Sequence, residues 1–197
     1  TISNLYISRG ATPTLNNTFP SDGQNNVGLF GFVTTNNSTN NIIERVNLVD
    51  VDITGKRGTG ALVGKVLMPS NASRKTIIEN CSVNGGTVKG FGATGGLVGA
   101  NNSDRRKQVP VIQYCWSNVT VSSTQATNTA LNSGDNNNPY NIKYGGIVGC
   151  NETGITFDCY AQGAVSGGDR VGGVAGCTID GAIIRCYSIG NVTQGIA

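Results

Sequence analysis

The chain contains no histidine, only one tryptophan and one methionine in 197 residues, and charged side chains make up just 13% of it. The missing imidazole removes the commonest general base and the commonest metal ligand, which rules out a His-based catalytic triad. Cys-x-x-Cys spacing is absent as well, so no metal site and no cofactor is expected. A net charge of +3 is too slight to argue for nucleic acid as a partner. No apolar run reaches the length of a membrane-spanning helix, so membrane insertion by this segment is not expected. Aromatic residues are 6%, as suits a thin core filled by rows of small and β-branched side chains. No P-loop or nucleophile elbow is found.

What the chain does have is glycine, 29 in all, and much of it recurs in one short phrase. The copies are Gly28-Leu29-Phe30-Gly31, Ala61-Leu62-Val63-Gly64, Gly96-Leu97-Val98-Gly99, Gly146-Ile147-Val148-Gly149 and Gly173-Val174-Ala175-Gly176. The closing glycines fall at 31, 64, 99, 149 and 176, so successive steps are 33, 35, 50 and 27 residues. A second marker, Val46, Cys81, Cys115, Cys159 and Cys186, follows the same ruler. Fixed-period self-similarity means stacked small units and no single compact core. The units lie near 28–59, 60–94, 95–144, 145–171 and 172–197, after a partial first repeat over 1–31 that places Leu5 in the cysteine slot.

Within a unit the pattern reads as short strands. Stretches such as Val119-Thr120-Val121 and Val46 to Ile53 favour a pleated surface, and no window carries a 3.6-residue apolar stripe. Asparagine and glycine, which tolerate left-handed backbone, suit the corners between strands. Three strands per unit of about 27 residues, stacked at the ~4.8 Å strand spacing, give an all-β, right-handed parallel β-helix of about six coils with inserted loops. A propeller of the WD type would need longer units and another signature. The whole chain, 1–197, is then a single solenoid domain. It begins at Thr1 and shows no cap at either end, so it is expected to be a fragment of something larger.

All six cysteines stand in register. Cys81, Cys115, Cys159 and Cys186 share one slot on successive coils, and Cys150 and Cys177 share another directly after the glycine phrase. Stacked neighbours fall inside the Cα range of a disulfide, whereas flat stacking holds Cβ atoms wider than a bridge prefers. Both buried free thiols and one or more bridges remain open at this stage. Either way the cysteines form a structural ladder.

If the cysteine slot faces inward, the next position faces out. It reads Tyr6, Asn47, Ser82, Trp116, Tyr160 and Tyr187. Trp116, Tyr160 and Tyr187 therefore make a contiguous outer stripe, suited to sugar rings or to an extracellular protein partner, or to stacking that stabilises the surface. Basic residues cluster at Arg74-Lys75 and at Arg105-Arg106-Lys107, both in inserts after the glycine phrase. Such a patch would meet anionic glycans or an anionic envelope, or serve only solubility. Asp50 and Asp52 share a strand, but Gly85 and Thr87 stand opposite on the next coil, and Glu44 and Glu79 occupy nearly equivalent slots. These carboxylates read as structural or surface groups. The insertion from Ser122 to Tyr144, polar and rich in asparagine, is expected to be a long loop.

The phrase Gly-Gly-Ile-Val-Gly at 145–149, followed by Asp158-Cys159-Tyr160-Ala161-Gln162-Gly163-Ala164-Val165, resembles the GLUG repeat of bacterial surface proteins. Gly172-Gly173-Val174-Ala175-Gly176 with Arg185-Cys186-Tyr187-Ser188 is the next best copy, and the first copy is degenerate. The resemblance implies an exported, extracellular or surface-attached protein in which such repeats act in adhesion or as stalks. It thus implies a non-enzymatic binding module for host glycan or protein, joined to neighbouring domains of the same polypeptide. The alternatives are a carbohydrate-active β-helix enzyme, a lyase or hydrolase, and a purely structural spacer.

Overall fold

The computed structural model describes residues 1–9, 25–35, 39–104, 108–124, 142–168 and 170–194. Among them there is no helix. The strands form four sheets, and every strand pairs in parallel with the strand one repeat away. This is the solenoid-like stacking that the period demands.

Each repeat visits the sheets in the same order. The glycine-phrase sheet contains Phe30–Thr34, Val63–Met68, Val98–Ser103, Val148–Asn151 and Ala175–Thr178. The isoleucine sheet follows, with Asn41–Glu44, Thr76–Glu79, Val111–Gln113, Ile155–Phe157 and Ala182–Ile184. Next comes the long sheet, built on Asn47–Thr54, Ser82–Gly90, Trp116–Ser123, Tyr160–Ala161 and Tyr187–Ser188, with Val165–Gly167 and Val192–Gln194 continuing its later rungs. A short sheet of Thr59–Gly60, Ala93–Gly95, Lys143–Gly145 and Arg170–Gly172 closes the circuit. Four sheets thus stand in place of the three expected. Strands of two or three residues are too brief for an alternation pattern, so the short sheet leaves no mark in the sequence.

The inward rows are continuous. Ile43, Ile78, Ile112, Thr156 and Ile183 stack in register on the isoleucine sheet, and Leu48 and Val83 do so on the long sheet. They meet Leu62, Leu97 and Ile147 of the phrase in one core, where most members are wholly inaccessible. Each such aliphatic side chain contributes about 1.5–3 kcal/mol by leaving water.

The closing glycine of the phrase has a specific reason to lack a side chain. A Cβ on Gly99 would lie 2.4 Å from Thr59 N, one on Gly149 2.4 Å from Thr94 N, and one on Gly176 2.5 Å from Tyr144 N. The short sheet lies directly against these glycines, so only hydrogen fits.

The corner before the cysteine slot obeys a different rule. Arg45, Asn80, Tyr114, Asp158 and Arg185 all have φ between 49° and 55°, although only Asn and Asp suit that region. Their main-chain N–H groups explain the choice. Arg45 N donates to Glu79 O at 3.2 Å, Asn80 N to Gln113 O at 3.2 Å, Tyr114 N to Phe157 O at 3.3 Å and Asp158 N to Ile184 O at 3.1 Å. The rung-to-rung ladder continues through the bend and imposes its geometry on whatever residue stands there.

At the N-terminus the frame differs from the sequence expectation. Ile2 pairs with Leu48 and Tyr6 with Asp52, so Tyr6 does not join the row of Asn47 and Leu5 does not occupy the cysteine slot. The left-handed residue Asn4 (φ 56°) separates two short strands there, and a left-handed Asp50 bends the partner strand to match.

Candidate functional site

Register places the three outer aromatics on one line. Asn47 pairs with Ser82, Ser82 with Trp116, Trp116 with Tyr160 and Tyr160 with Tyr187. Trp116 and Tyr160 lie 6.0 Å apart between ring centroids at an interplanar angle of 6°, and Tyr160 and Tyr187 lie 5.4 Å apart at 8°. The line continues as a polar pair, with the Ser82 hydroxyl donating to Asn47 Oδ1 at 2.7 Å. Trp116 and Tyr160 are half-buried, while Tyr187 is 56% exposed.

Parallel stacking decides which part of each ring is available. The faces of Tyr160 are turned onto its two neighbours, so that ring meets solvent by its edge, while Tyr187 at the end of the row stacks one face on Tyr160. Rows of polar groups flank it. On one side the Asn118 amide donates to Asn84 Oδ1 at 3.2 Å, and Gln162 follows on the next rung, its N–H bonded to Ser117 O. On the other side Tyr114, 51% exposed, sits edge-to-face on Phe157 at 5.4 Å and 75°. Beside it the Arg185 guanidinium donates twice to the Asp158 carboxylate, each bond 2.7 Å, and holds that carboxyl below its ordinary pKa.

Of the basic residues, Arg74 and Lys75 are exposed, and the Lys75 main-chain N–H donates to Asn40 Oδ1 at 2.9 Å. Arg105, Arg106 and Lys107 lie outside the described residues, as does most of the Ser122 to Tyr144 insertion.

The carboxylates do not converge. Asp52 accepts from the Thr87 hydroxyl at 3.0 Å, and Asp50 is exposed. Glu44 and Glu79 are register partners, and Glu79 accepts a short hydrogen bond from the Gln113 amide. Among the described residues no group of three His, Cys, Asp or Glu side chains is placed to hold a metal ion.

The cysteines separate into two environments. Cys81, Cys115 and Cys159 are sealed in the core and Cys186 is half-buried on the last rung. Each thiol donates to the carbonyl two residues before it, at 3.2, 3.1, 3.2 and 3.3 Å in chain order. Its place between the thiols of Cys159 and Cys81, together with burial, pushes Cys115 well up. Cys150 and Cys177 lie outside this core, in a small cluster with Ala93 and Ala100 where the short sheet meets the glycine-phrase sheet. All six are free.

One feature of the interior went unread in the sequence. Asn101 and Asn151 are register partners whose side chains are wholly buried. Asn151 Nδ2 also donates to Gly154 O at 2.9 Å. Asn151 opens an Asn-x-Thr triplet, so its burial removes that triplet as an acceptor for sugar in the folded chain. The rule that polar side chains face water concealed the pair; a repeated Asn at the same step from the phrase glycine was the available signal. A concavity of about 530 Å³ lies at the other end of the stack, lined by Tyr6, Arg9, Asn26 and Gly31 among others.

No protein-family model matches the chain, and neither a curated protein nor a solved structure gives a significant match to it.

Proposed function

We propose that this chain is a non-enzymatic binding module of an exported bacterial surface protein. In this reading it is a right-handed parallel β-helix of about six coils with inserted loops, joined to further domains and presenting its long sheet to a host glycan. The carrying observation is the ladder Trp116–Tyr160–Tyr187, fixed on an outward face by parallel pairing and flanked by the amides of Asn84, Asn118 and Gln162. Successive rings repeat at 5.4–6.0 Å, of the order of one sugar residue along an extended chain. Ring edges, phenolic hydroxyls and side-chain amides offer hydrogen bonds to a hydroxyl-rich ligand, and a rigid ladder loses little entropy on binding. The resemblance to GLUG repeats supplies the cell-surface setting, where many copies would raise weak contacts to useful avidity.

The ring stacking also favours a second reading. Aromatic faces consumed by one another stabilise the solenoid wall, so the module would serve as a spacer that binds nothing.

A glycan array with a panel of extracellular matrix proteins separates the two. The wild-type chain is compared with Tyr160→Phe/Tyr187→Phe, which keeps the stack and removes its hydroxyls, and with Trp116→Ala/Tyr160→Ala/Tyr187→Ala. Saturable glycan binding weakened in the first variant and lost in the second supports the wall as the site. Binding that survives both but disappears with added salt moves the site to Arg105, Arg106 and Lys107. Silence across the panel by the folded chain rejects the binding reading in favour of the spacer.

A further inference from the structure

Cys150 and Cys177 face each other across adjacent rungs of the glycine-phrase sheet as direct register partners. Neighbouring strands stand about 4.8 Å apart, inside the Cα range that a disulfide spans. Their sulfur atoms are already 3.1 Å apart, so a bond of about 2.05 Å needs roughly 1 Å of further approach. The two thiols differ in access: Cys150 is 2% exposed and Cys177 is half-buried.

Their surroundings are cationic. Lys143, itself buried, places Nζ 3.6 Å from Cys150 Sγ, and Arg170 is the register partner of Lys143 on the next rung of the short sheet. Glu152, two residues after Cys150 in the chain, is the acidic group that opposes them. The hydrogen bond from Cys150, with the charges of Lys143 and Arg170, lowers the Cys177 thiol to about 6 against the opposing effect of burial. The same hydrogen bond and burial push Cys150 up, so the proton stays on the inner sulfur. An accessible thiolate beside a protonated partner is the arrangement of an attacking and a resolving thiol.

We propose that Cys150 and Cys177 are a reversible thiol–disulfide pair, closed by exchange with a low-molecular-weight disulfide into a cross-link between two rungs of the solenoid. The Cys177 thiolate attacks one sulfur of the small disulfide, breaking its S–S bond and releasing one thiolate. A mixed disulfide now joins Cys177 to the other half. Cys150 gives its proton to the departing thiolate, its sulfur attacks Cys177 Sγ, and the second small thiolate leaves and takes a proton from solvent. Two protein thiols are oxidised to one disulfide while the small disulfide is reduced to two thiols. A reducing thiol in excess reverses each step. Cys81, Cys115 and Cys159 stay out of the exchange because no oxidant reaches them in the folded chain.

The test is peptide mapping of the full chain after reduction, exposure to oxidised glutathione at pH 7 and quenching by alkylation. Trypsin cleaves after Lys143, Arg170 and Arg185, so a Cys150–Cys177 bond joins segment 144–170 to segment 171–185, whereas a Cys159–Cys186 bond joins 144–170 to 186–197. The expected product has lost two hydrogens, carries no glutathione and shows the first linkage alone, confirmed by fragmentation. Cys150→Ser leaves a stable glutathione adduct on Cys177, and Cys177→Ser leaves no cross-link. Alkylation of Cys177 at pH 7 in the reduced wild type outpaces that of Cys186 by about tenfold, and Lys143→Met narrows the gap. A lasting adduct on Cys177 in the wild type, a linkage elsewhere, or no reaction of the folded chain overturns the proposal.

Discussion

Asn101 and Asn151 lie 50 residues apart in the chain, yet the Asn101 amide donates to Asn151 Oδ1 at 3.0 Å with both side chains closed off from solvent. Thr156 approaches the same oxygen from the isoleucine sheet at 3.5 Å, so the pair binds the inside of a corner where two sheets meet. On the rung before, Val66 holds the equivalent position, and Asn101 Oδ1 has no hydrogen-bond partner among the described residues.

Replacing Asn151 with alanine strands the Asn101 amide and leaves the Gly154 carbonyl with its bond from Ala182 N alone of the two. The cost should be about 1–3 kcal/mol in a denaturant titration. Asn101→Ala/Asn151→Ala should be less destabilising than the sum of the single changes, by about 1 kcal/mol, because it removes both partners together. Simple additivity would mean that the two amides do not interact.

Tyr160 touches two rings, so it is the position where the ladder is most sensitive. Tyr160→Ala should lower stability by about 1–3 kcal/mol, two ring pairs at about 0.5–1.5 kcal/mol each, and should flatten the near-ultraviolet circular dichroism. Tyr160→Phe should change neither. An equal loss in both variants would place the energy in the hydroxyl and not in the stack.

Gly86 has φ 95°, and a Cβ there would lie 2.0 Å from Val51 O on the neighbouring rung. Gly86→Ala therefore meets both a backbone that L residues avoid and a collision with main chain, and should cost at least about 2 kcal/mol. A melting midpoint equal to wild type would show that the bend between Asn118 and Thr120 on the next strand can relax to absorb it.

Asp158 provides the pH prediction. Its carboxyl, held by hydrogen bonds and charge from Arg185, has a pKa below the ordinary 3.8. A depressed folded-state pKa contributes stability above the unfolded value and loses it as pH falls through the folded one. Carboxyl-resolved NMR should place its midpoint below 3.8, and Arg185→Met should return it to the ordinary range. The pair is open to solvent, so added salt should shrink the shift.

The period of the chain determined the class of fold, because a fixed step between like residues permits stacking in which each row repeats its own chemistry. The row Trp116, Tyr160 and Tyr187 and the slot of Cys81, Cys115, Cys159 and Cys186 were therefore legible from spacing alone. Tertiary structure decided the rest. Rings drawn to one pitch turned their faces onto each other, which spacing could not reveal. The short sheet emerged from strands of two or three residues, and Tyr114 and Arg45 took left-handed backbone because ladder hydrogen bonds outweigh local preference. Asn101 and Asn151 became interior groups because each supplies a partner for the other, and Cys150 met Lys143 because two sheets fold together at glycines too small to hold them apart. Spacing along the chain records which residues share a row. Only the closure of four sheets around one core sets which rows come into contact.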